Sequence, residues 1–362
     1  MKTARIQVSQ LRPDMVVADN VYTFNNQLII QEKTRLSDKI ITRLKFYSID
    51  FIKILVDDDA PESIPEAPLH KELYLENLKE TKEYKNFNQT LLTMTNKMKD
   101  TMQQMVEDSV IADVNALYDA VNEIASFSRN GLHILDMLHC MRDNDDHTYI
   151  HSVNVALICK VLGTWLHFNK KDLETVTICG LLHDIGKLTI PNEIISKADK
   201  LTDDEFSTMK EHSLRGYNIL RPLDLNIYVK MSAMVHHERC DGSGYPMGLK
   251  GNQMDKFSKV VMIADVYDAM TSARVYRGPL CPFEVISIFE SEGLFKYEPK
   301  YVMTFLDHIT QLYLNSTVRL NDGRIGEIVL MNRNHLAKPI IKTEDTFIDL
   351  SNHNNLFITA IL

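Results

Sequence analysis

The chain is organised around the stretch Gly180-Leu181-Leu182-His183-Asp184-Ile185-Gly186-Lys187, in which an apolar run ends in a histidine next to an aspartate. Imidazole nitrogen and carboxylate oxygen are both common metal ligands, so this pair puts two metal-binding groups at one predicted helix end. Taken alone the pair is a weak signal, because a histidine beside an aspartate occurs by chance in many chains. Its weight comes from the residues on either side.

Further histidines and an aspartate recur at wide intervals around this pair. His151 lies 32 residues before the histidine of the pair, and His212 lies 29 residues after it. The adjacent His236 and His237 follow 24 residues later, and Asp265 lies 28 residues beyond them. Any one of these histidines alone is better explained as a hydrogen-bonded core or surface residue. Together, in or at the ends of helix-like segments, they predict a helical cavity that holds more than one transition metal.

Composition excludes several classes of protein. The 362 residues are enough for two or three domains, and 44% hydrophobic with 25% charged residues is ordinary for a globular chain. A net charge of −9 without a basic stripe argues against binding of long nucleic acid. Five cysteines without a CxxC pair indicate reduced thiols and a cytoplasmic protein. No export signal and no membrane span are expected, because the longest apolar run, 153–168, is interrupted and short.

Residues 1–58 are predicted to form a small α+β domain with a regulatory or packing role. The β-prone runs are Val16–Ala18, Leu28–Ile30 and Phe51–Val56. Ser37 is expected to cap a helix whose buried face carries Ile40, Ile41 and Leu44.

Residues 59–109 are predicted to be a linker and a long helix. The acidic segment 57–69 contains three prolines and is typical of an extended linker. The helix that follows, about 70–108, carries a heptad-like seam formed by Tyr84, Phe87, Leu91, Met94, Met98, Met102 and Met105. Two interpretations are open: the seam packs on the protein's own core, or residues 84–105 form a coiled-coil homodimer.

Residues 110–315 are predicted to be helical and residues 316–362 to form a small β appendage, so the fold class is mainly α. The expected helices are 111–127, 131–142, 148–166, 172–185, 203–219, 226–238, 257–272, 283–292 and 298–313. A glycine-rich insertion, 239–255, interrupts them. In the appendage, Asn321-Asp322-Gly323 joins 318–320 and 325–330 into a hairpin, and 347–350 and 356–358 are further strand candidates.

The ligand set suits iron, manganese or zinc, because it offers histidine and aspartate without cysteine. Asp184 has two carboxylate oxygens and can bridge two metals, whereas His183 binds one. Two metals about 3.5–4 Å apart hold a bridging hydroxide and stabilise in-line attack on phosphorus. The set therefore suits a hydrolytic or an oxidative metal site, and attack on phosphorus is one reaction that such a site supports.

Two motifs carry a resemblance to a known family. His183-Asp184-Ile185-Gly186-Lys187, together with His236-His237-Glu238-Arg239-Cys240-Asp241-Gly242-Ser243-Gly244-Tyr245-Pro246, resembles the HD-GYP family of cyclic di-GMP phosphodiesterases. Segments 148–156 and 263–274 resemble that family's first and last ligand helices, and Glu211-His212 falls where it has its middle histidine. The resemblance covers about 125–315 and implies an all-helical HD-domain catalytic core. Residues 1–58 more loosely resemble a domain often found ahead of it.

The resemblance implies roles for individual residues. The implied metal ligands are His151, His183, Asp184, His212, His236, His237 and Asp265. They would hold two divalent ions, iron or manganese. Some family members carry a glutamate four residues before the first histidine ligand and bind a third metal. This chain has His147 there, on the same helical face as His151, so His147 is an open candidate ligand.

The implied catalytic residues are Asp184 and Lys187, and the implied substrate-binding residues are Lys187, Arg274, Arg277, Tyr245 and Asp268. Lys187 would contact one phosphate, and Arg274 and Arg277 the other phosphate or a guanine face. Arginine suits phosphate because its guanidinium makes planar two-point contacts. The plain alternative for these three cations is a solvated surface charge. Tyr245 would lie at the rim of the pocket.

Three functions remain open at this point. The first is hydrolysis of cyclic di-GMP to linear pGpG, and on to GMP, by the bridging hydroxide. The second is an HD phosphohydrolase that acts on a mononucleotide or on another cyclic dinucleotide. The third is a receptor that binds cyclic di-GMP without cleaving it. A nucleophilic serine hydrolase is a poor fit, because Gly242-Ser243-Gly244 lacks the spacing of a nucleophile elbow.

Overall fold

The computed structural model describes residues 2–8, 11–22, 28–37, 40–41, 44, 51–56, 78–108, 113–140, 147–197, 199, 201–272, 280–344 and 346–362. The predicted linker 57–69 lies outside these residues, as do Arg274 and Arg277. The chain divides into two compact units. One contains the N-terminal region to residue 70 with residues 197–207, and the other contains the long helix, the remaining helices and the C-terminal strands.

The N-terminal unit is a small antiparallel β structure. Its strands are Lys2–Gln7, Val16–Val17, Val21–Tyr22, Leu28–Ile30 and Phe51–Val56. Phe51–Val56 is the middle strand of a three-stranded sheet, between Lys2–Gln7 and Val16–Val17, and the other two strands pair with each other. Ile40, Ile41 and Leu44 are helical as predicted, and the Ile41 N–H donates to the Ser37 carbonyl. Val17, Leu44 and Ile54 lie in its apolar core.

The long helix spans Lys82–Glu107 and is capped by Thr81, whose side chain accepts from the Tyr84 N–H. All seven predicted seam residues are buried in this single chain, none more than 7% exposed. The helix packs against the helices Val114–Ser126 and His147–Trp165. The seam therefore belongs to the protein's own core, and a homodimer through residues 84–105 would need a different face of this helix.

Each of the helices predicted within 110–315 is present. Their bounds are Val114–Ser126, Gly131–Cys140, His147–Trp165, Lys170–Leu182, Asp203–Leu220, Ile227–Val235, Lys256–Thr271, Pro282–Ile288 and Pro299–Ile309. Short helical turns at Ile185–Thr189, Asn192–Ile195, Gly251–Gln253, Phe289–Gly293, Leu294–Lys296 and Thr310–Tyr313 connect or extend them. No helix among the described residues is long and apolar enough to span a bilayer.

Lys170–Leu182 is the central helix of this unit. Eight consecutive residues at its C-terminal end, 175–182, are buried, because other helices cover it on all sides. It packs against His147–Trp165, Ile227–Val235 and Lys256–Thr271. The end of this helix is consequently surrounded by the elements that carry the other predicted ligands.

The C-terminal residues form a five-stranded antiparallel sheet, in the order Ile358–Ile361, Thr317–Leu320, Ile325–Leu330, Ile340–Lys342, Phe347–Asp349. The predicted hairpin turn is present, with Gly323 at φ +91°, a conformation that favours glycine. The Glu290 carboxylate accepts the N–H groups of Leu336 at 2.5 Å and Ala337 at 3.0 Å. The sheet is thus fastened to the helical part of the same unit.

Candidate metal centre

The His183–Asp184 pair lies where the central helix stops. His183 caps the helix Lys170–Leu182, and Asp184 precedes the tight turn Ile185–Thr189. Gly186 in this turn lets the next ligand helix approach, because a Cβ there would overlap the carbonyl oxygen of His212. The absence of a side chain at Gly186 therefore allows His212 to lie close to the pair.

The structure brings the seven predicted ligands together in two clusters, which we call cluster 1 and cluster 2. Cluster 1 consists of Asp184, His212, His236 and His237, and cluster 2 of His151, His183 and Asp265. Within each cluster every residue offers a ligand atom, and these atoms all lie within 4.8 Å of one another. Residues separated by more than a hundred positions therefore meet in one place, as the spacing of the histidines predicted.

The Asp184 carboxylate lies between the two clusters. Its Oδ2 is 3.5 Å from His151 Nε2 and 3.3 Å from His183 Nε2. Its Oδ1 is 3.5 Å from His212 Nε2 and 3.6 Å from His236 Nε2. One oxygen thus faces each cluster, which is the arrangement a bridging carboxylate requires.

Asp265 faces both clusters in a similar way. Its Oδ1 is 3.1 Å from His151 Nε2, and its Oδ2 is 3.8 Å from His237 Nδ1. The two clusters therefore share a boundary formed by two carboxylates.

Two buried polar atoms in this centre are unsatisfied. Within the described residues, His183 Nε2 and Asp184 Oδ1 make no hydrogen bond. Leaving a buried donor or acceptor unpaired costs about 1–3 kcal/mol, so native proteins rarely do it without a reason. Both atoms are lone-pair donors directed into the clusters, and a metal ion would satisfy them. The donor set therefore fits a metal centre.

Hydrogen bonds made by Nδ1 set the orientation of three of the imidazole rings. Nδ1 of His183 bonds to the Gly180 carbonyl at 2.8 Å, Nδ1 of His212 to the Met209 carbonyl at 2.6 Å, and Nδ1 of His236 to the Ser232 carbonyl at 3.0 Å. A carbonyl can only accept, so Nδ1 carries the proton and Nε2 of the neutral ring keeps its lone pair. These bonds hold the three rings in the tautomer that ligates a metal through Nε2.

His151 is oriented by a carboxylate. Its Nδ1 lies 2.7 Å from Asp268 Oδ2, while Asn154 and Ser272 donate to Oδ1 at 3.0 and 3.1 Å. Asp268 was expected among the substrate-binding residues, but it is only 4% exposed and both its oxygens are engaged inside the protein. We propose that Asp268 orients His151. The part played by Asn154 was not foreseen from the sequence.

The charge states of the cluster 1 residues already favour ligation. Burial lowers the pKa of His212 to about 3 and brings the pKa of His236 and His237 below their ordinary value. These rings are therefore neutral near pH 7. Burial alone would raise the pKa of Asp184, but Lys187 and His183 outweigh it and lower that pKa well below its usual range.

His151 behaves differently from these rings. Burial alone would lower its pKa, but hydrogen bonds and charge from Asp265 and Asp268 outweigh burial and raise the pKa to about 9. The His151 ring is thus surrounded by negative charge, which also favours a metal cation at this position.

Lys187 brings a cation to the edge of the centre. Its Nζ lies 2.5 Å from Asp184 Oδ2, and its side chain is 24% exposed. An anion bound from solvent could therefore reach it. Among the other predicted residues, Arg274 and Arg277 lie outside the described residues, and so does the side chain of His147, whose backbone begins the helix His147–Trp165.

The glycine-rich insertion folds back over His237. The ring of Tyr245 stacks on the imidazole of His237 with centroids 4.8 Å apart and planes at 28°. Glu238, which is fully buried, accepts the N–H groups of Met247 at 2.7 Å and Leu249 at 2.9 Å. Sequence reasoning did not single out Glu238, because a glutamate at the start of a polar loop is usually solvated.

Comparison with known proteins agrees with this geometry. Residues 137–300 match the family model of the HD domain. A cyclic di-GMP phosphodiesterase of Pseudomonas aeruginosa is 34% identical over 232 residues, which are 62% of this chain and 54% of that protein. The solved structure of an HDG"Y"P protein from Bdellovibrio bacteriovorus covers 85% of this chain and 99% of that one, with a TM-score of 0.52 and 18% identity. The chain is thus similar to the HD domain over residues 137–300 and to a cyclic di-GMP phosphodiesterase over 232 residues, in agreement with the resemblance of its motifs to the HD-GYP family.

A second relative is named for a different substrate. A 3'3'-cGAMP-specific phosphodiesterase of Vibrio cholerae is 41% identical over 145 residues, 40% of this chain and 34% of that protein. The chain spans about half or less of the length of these two curated relatives. The similarity to the Bdellovibrio structure concerns the fold alone.

Proposed function

We propose that the helical part of this chain is a metal-dependent phosphodiesterase that hydrolyses cyclic di-GMP to linear pGpG, with GMP as the product of a second cleavage. The observation that carries the proposal is the Asp184 carboxylate, whose two oxygens face two separate ligand clusters. Two adjacent metal sites are typical of enzymes that cleave phosphate esters. The similarity to cyclic di-GMP phosphodiesterases supports the choice of substrate.

We propose two divalent ions, iron or manganese, because the clusters offer imidazole and carboxylate ligands without a thiolate. His147 is our candidate ligand for a third ion, since it lies one helical turn before His151. Metals bound here would activate water for attack on phosphorus and stabilise the negative charge that develops in the transition state.

The chain's own residues would bind and orient the substrate. The ammonium of Lys187 lies beside Asp184 and is partly open to solvent, so it would bind a phosphate oxygen of the dinucleotide. Arg274 and Arg277 are proposed for the second phosphate or a guanine face, since a dianionic ligand needs further cations. Tyr245 would border the pocket beside His237.

A second candidate substrate is 3'3'-cGAMP. It is favoured by one observation, the Vibrio relative of that specificity at 41% identity over 145 residues. A receptor that binds without cleaving is less well supported, because seven ligand residues converge in an arrangement suited to catalysis.

The test is a turnover assay with protein purified anaerobically and supplied with Mn²⁺ or Fe²⁺. We expect linear products from cyclic di-GMP, none after chelation, and loss of turnover in Asp184→Ala. Asp119→Ala is the matched control, because Asp119 is an exposed carboxylate on the helix Val114–Ser126. Unchanged turnover in Asp184→Ala would contradict the proposal. Binding without turnover would select the receptor, and faster cleavage of 3'3'-cGAMP would select the second candidate.

A further inference from the structure

His237 differs from the other imidazoles of the centre in how it is held. The rings of His151, His183, His212 and His236 each have Nδ1 hydrogen-bonded to a carboxylate or a carbonyl. Within the described part of the chain, the His237 ring makes no hydrogen bond, and its nearest carboxylate oxygen, Asp265 Oδ2, is 3.8 Å from Nδ1. Its side chain is also 20% exposed. Hydrogen bonding therefore does not fix the plane of this ring.

Three aromatic rings contact His237 instead. Tyr245 covers one face in a near-parallel stack, at 4.8 Å and 28°. His212 meets the same imidazole at 5.0 Å and 87°, and His236 lies at 4.2 Å. Of these neighbours, Tyr245 alone belongs to the loop and not to the metal-ligand set. Such aromatic pairs contribute orientation as well as burial.

The loop holds the tyrosine at a fixed distance from the histidine. Glu238, the residue after His237, accepts the N–H groups of Met247 and Leu249, on the far side of Tyr245. The Tyr245 N–H donates to the His237 carbonyl at 3.2 Å. Gly244 lies so close to the Glu238 backbone that a Cβ would overlap it. Contacts at both ends of the loop therefore hold Tyr245 against His237.

We propose that Tyr245 is a positioning residue whose ring face sets the plane of His237, so that His237 can complete the metal site of cluster 1. The flat ring performs this role and the phenolic hydroxyl takes no part in it. The inference rests on the proposed function only in that a metal binds to cluster 1, and it holds whichever nucleotide is cleaved.

The test measures Mn²⁺ binding by calorimetry, without any nucleotide, in a matched pair of variants. Tyr245→Phe keeps the ring and is expected to keep the wild-type affinity for both ions. Tyr245→Leu keeps an apolar side chain without a flat ring face, and is expected to weaken one of the two Mn²⁺ binding events about three- to tenfold. His237→Ala, which removes the ligand, defines the largest loss expected at that site.

Each outcome decides the proposal. Wild-type affinity in Tyr245→Leu would overturn it, as would an equal loss in Tyr245→Phe, which would assign the effect to the hydroxyl. Should Tyr245→Leu fail to fold, nuclear Overhauser contacts between the two rings in the Zn²⁺-loaded wild-type protein decide instead: their presence supports the stack and their absence overturns it. Wild-type protein that binds Mn²⁺ but cleaves no nucleotide would contradict the proposed function and leave this inference intact.

Discussion

Asp268 Oδ2 lies 2.7 Å from Nδ1 of His151, and this contact turns the opposite nitrogen of the ring toward Asp184 and Asp265. A carboxylate behind a ligating histidine fixes its ring and makes it a better electron donor. Asn154 and Ser272 hold the other oxygen of the same carboxylate. A chain of contacts therefore reaches from outside the ligand set into cluster 2.

The first prediction concerns Asp268→Asn. The amide has one acceptor oxygen, so it cannot accept from His151 and from Asn154 at once, and its NH₂ group would oppose one of them. We expect Mn²⁺ affinity at cluster 2 to fall about 10- to 100-fold and turnover to fall with it. Calorimetry on metal-free protein measures the affinity directly.

Ser272→Ala is the control for this prediction, because it removes one donor to Asp268 and leaves the carboxylate in place. A loss of affinity well below that of Asp268→Asn is expected. Wild-type Mn²⁺ affinity in Asp268→Asn would show that Asp268 does not orient His151.

The candidate ligands could be predicted from the sequence, because each one is recognised by its own residue type and by its place at a predicted helix end. Imidazole and carboxylate groups at helix ends are visible without coordinates, and the helices that carry them show clear periodicity and caps. Asn226 and Asp255, for instance, cap the helices Ile227–Val235 and Lys256–Thr271 as their residue types allow. The family motifs then placed these groups in one site.

The supporting contacts could not be predicted, because they depend on pairs of residues far apart in the chain. Asp268 lies three residues after Asp265 and shares its helix face. The sequence is therefore equally consistent with contact between Asp268 and a substrate and with support of a ligand by Asp268. Only the fold shows that its oxygens are taken by His151, Asn154 and Ser272. The strand Lys2–Gln7 was missed for a similar reason, since its partner Phe51–Val56 lies more than forty residues away.

The second prediction concerns the close approach of two backbones at Gly186. In Gly186→Ala the new methyl group would overlap the His212 carbonyl, and backbone atoms cannot move aside cheaply. We expect a loss of stability of about 3 kcal/mol or more, together with weaker Mn²⁺ binding, although Gly186 is not a ligand. Urea unfolding measures the first effect and calorimetry the second.

Gly323→Ala separates this steric effect from the conformational cost of replacing a glycine. Gly323 has φ +91°, but a Cβ added there would meet no atom within 4 Å, so only backbone strain of about 1–2 kcal/mol is expected. Equal losses of stability in the two variants would contradict the steric explanation for Gly186.

The third prediction concerns Glu238→Gln. The glutamine side chain has one acceptor oxygen, so one of the N–H groups of Met247 and Leu249 would face an NH₂ group in a fully buried place. We expect a loss of about 1–3 kcal/mol, the cost of an unsatisfied buried group, seen as a lower thermal unfolding temperature. Ser243→Ala is the control, because among the residues that the structure describes Ser243 bonds only to the exposed Asp241 of the same loop. A Ser243→Ala variant as unstable as Glu238→Gln would count against this role.

The last prediction concerns the stability of the metal-free protein. An ion that binds the folded chain and not the unfolded one stabilises by RT ln(1 + [L]/Kd), about 2.7 kcal/mol at one hundred times Kd. The unsatisfied atoms His183 Nε2 and Asp184 Oδ1 should lower the stability of the metal-free protein. Mn²⁺ is therefore expected to raise the thermal unfolding temperature, and EDTA to reverse the change. Asp184→Ala should abolish the response, because it removes the carboxylate that both clusters share, whereas Asp119→Ala should respond as the wild-type protein does. An unfolding temperature that is the same with Mn²⁺ and with EDTA would show that the clusters hold no ion at these concentrations, and it would do so without reference to any substrate.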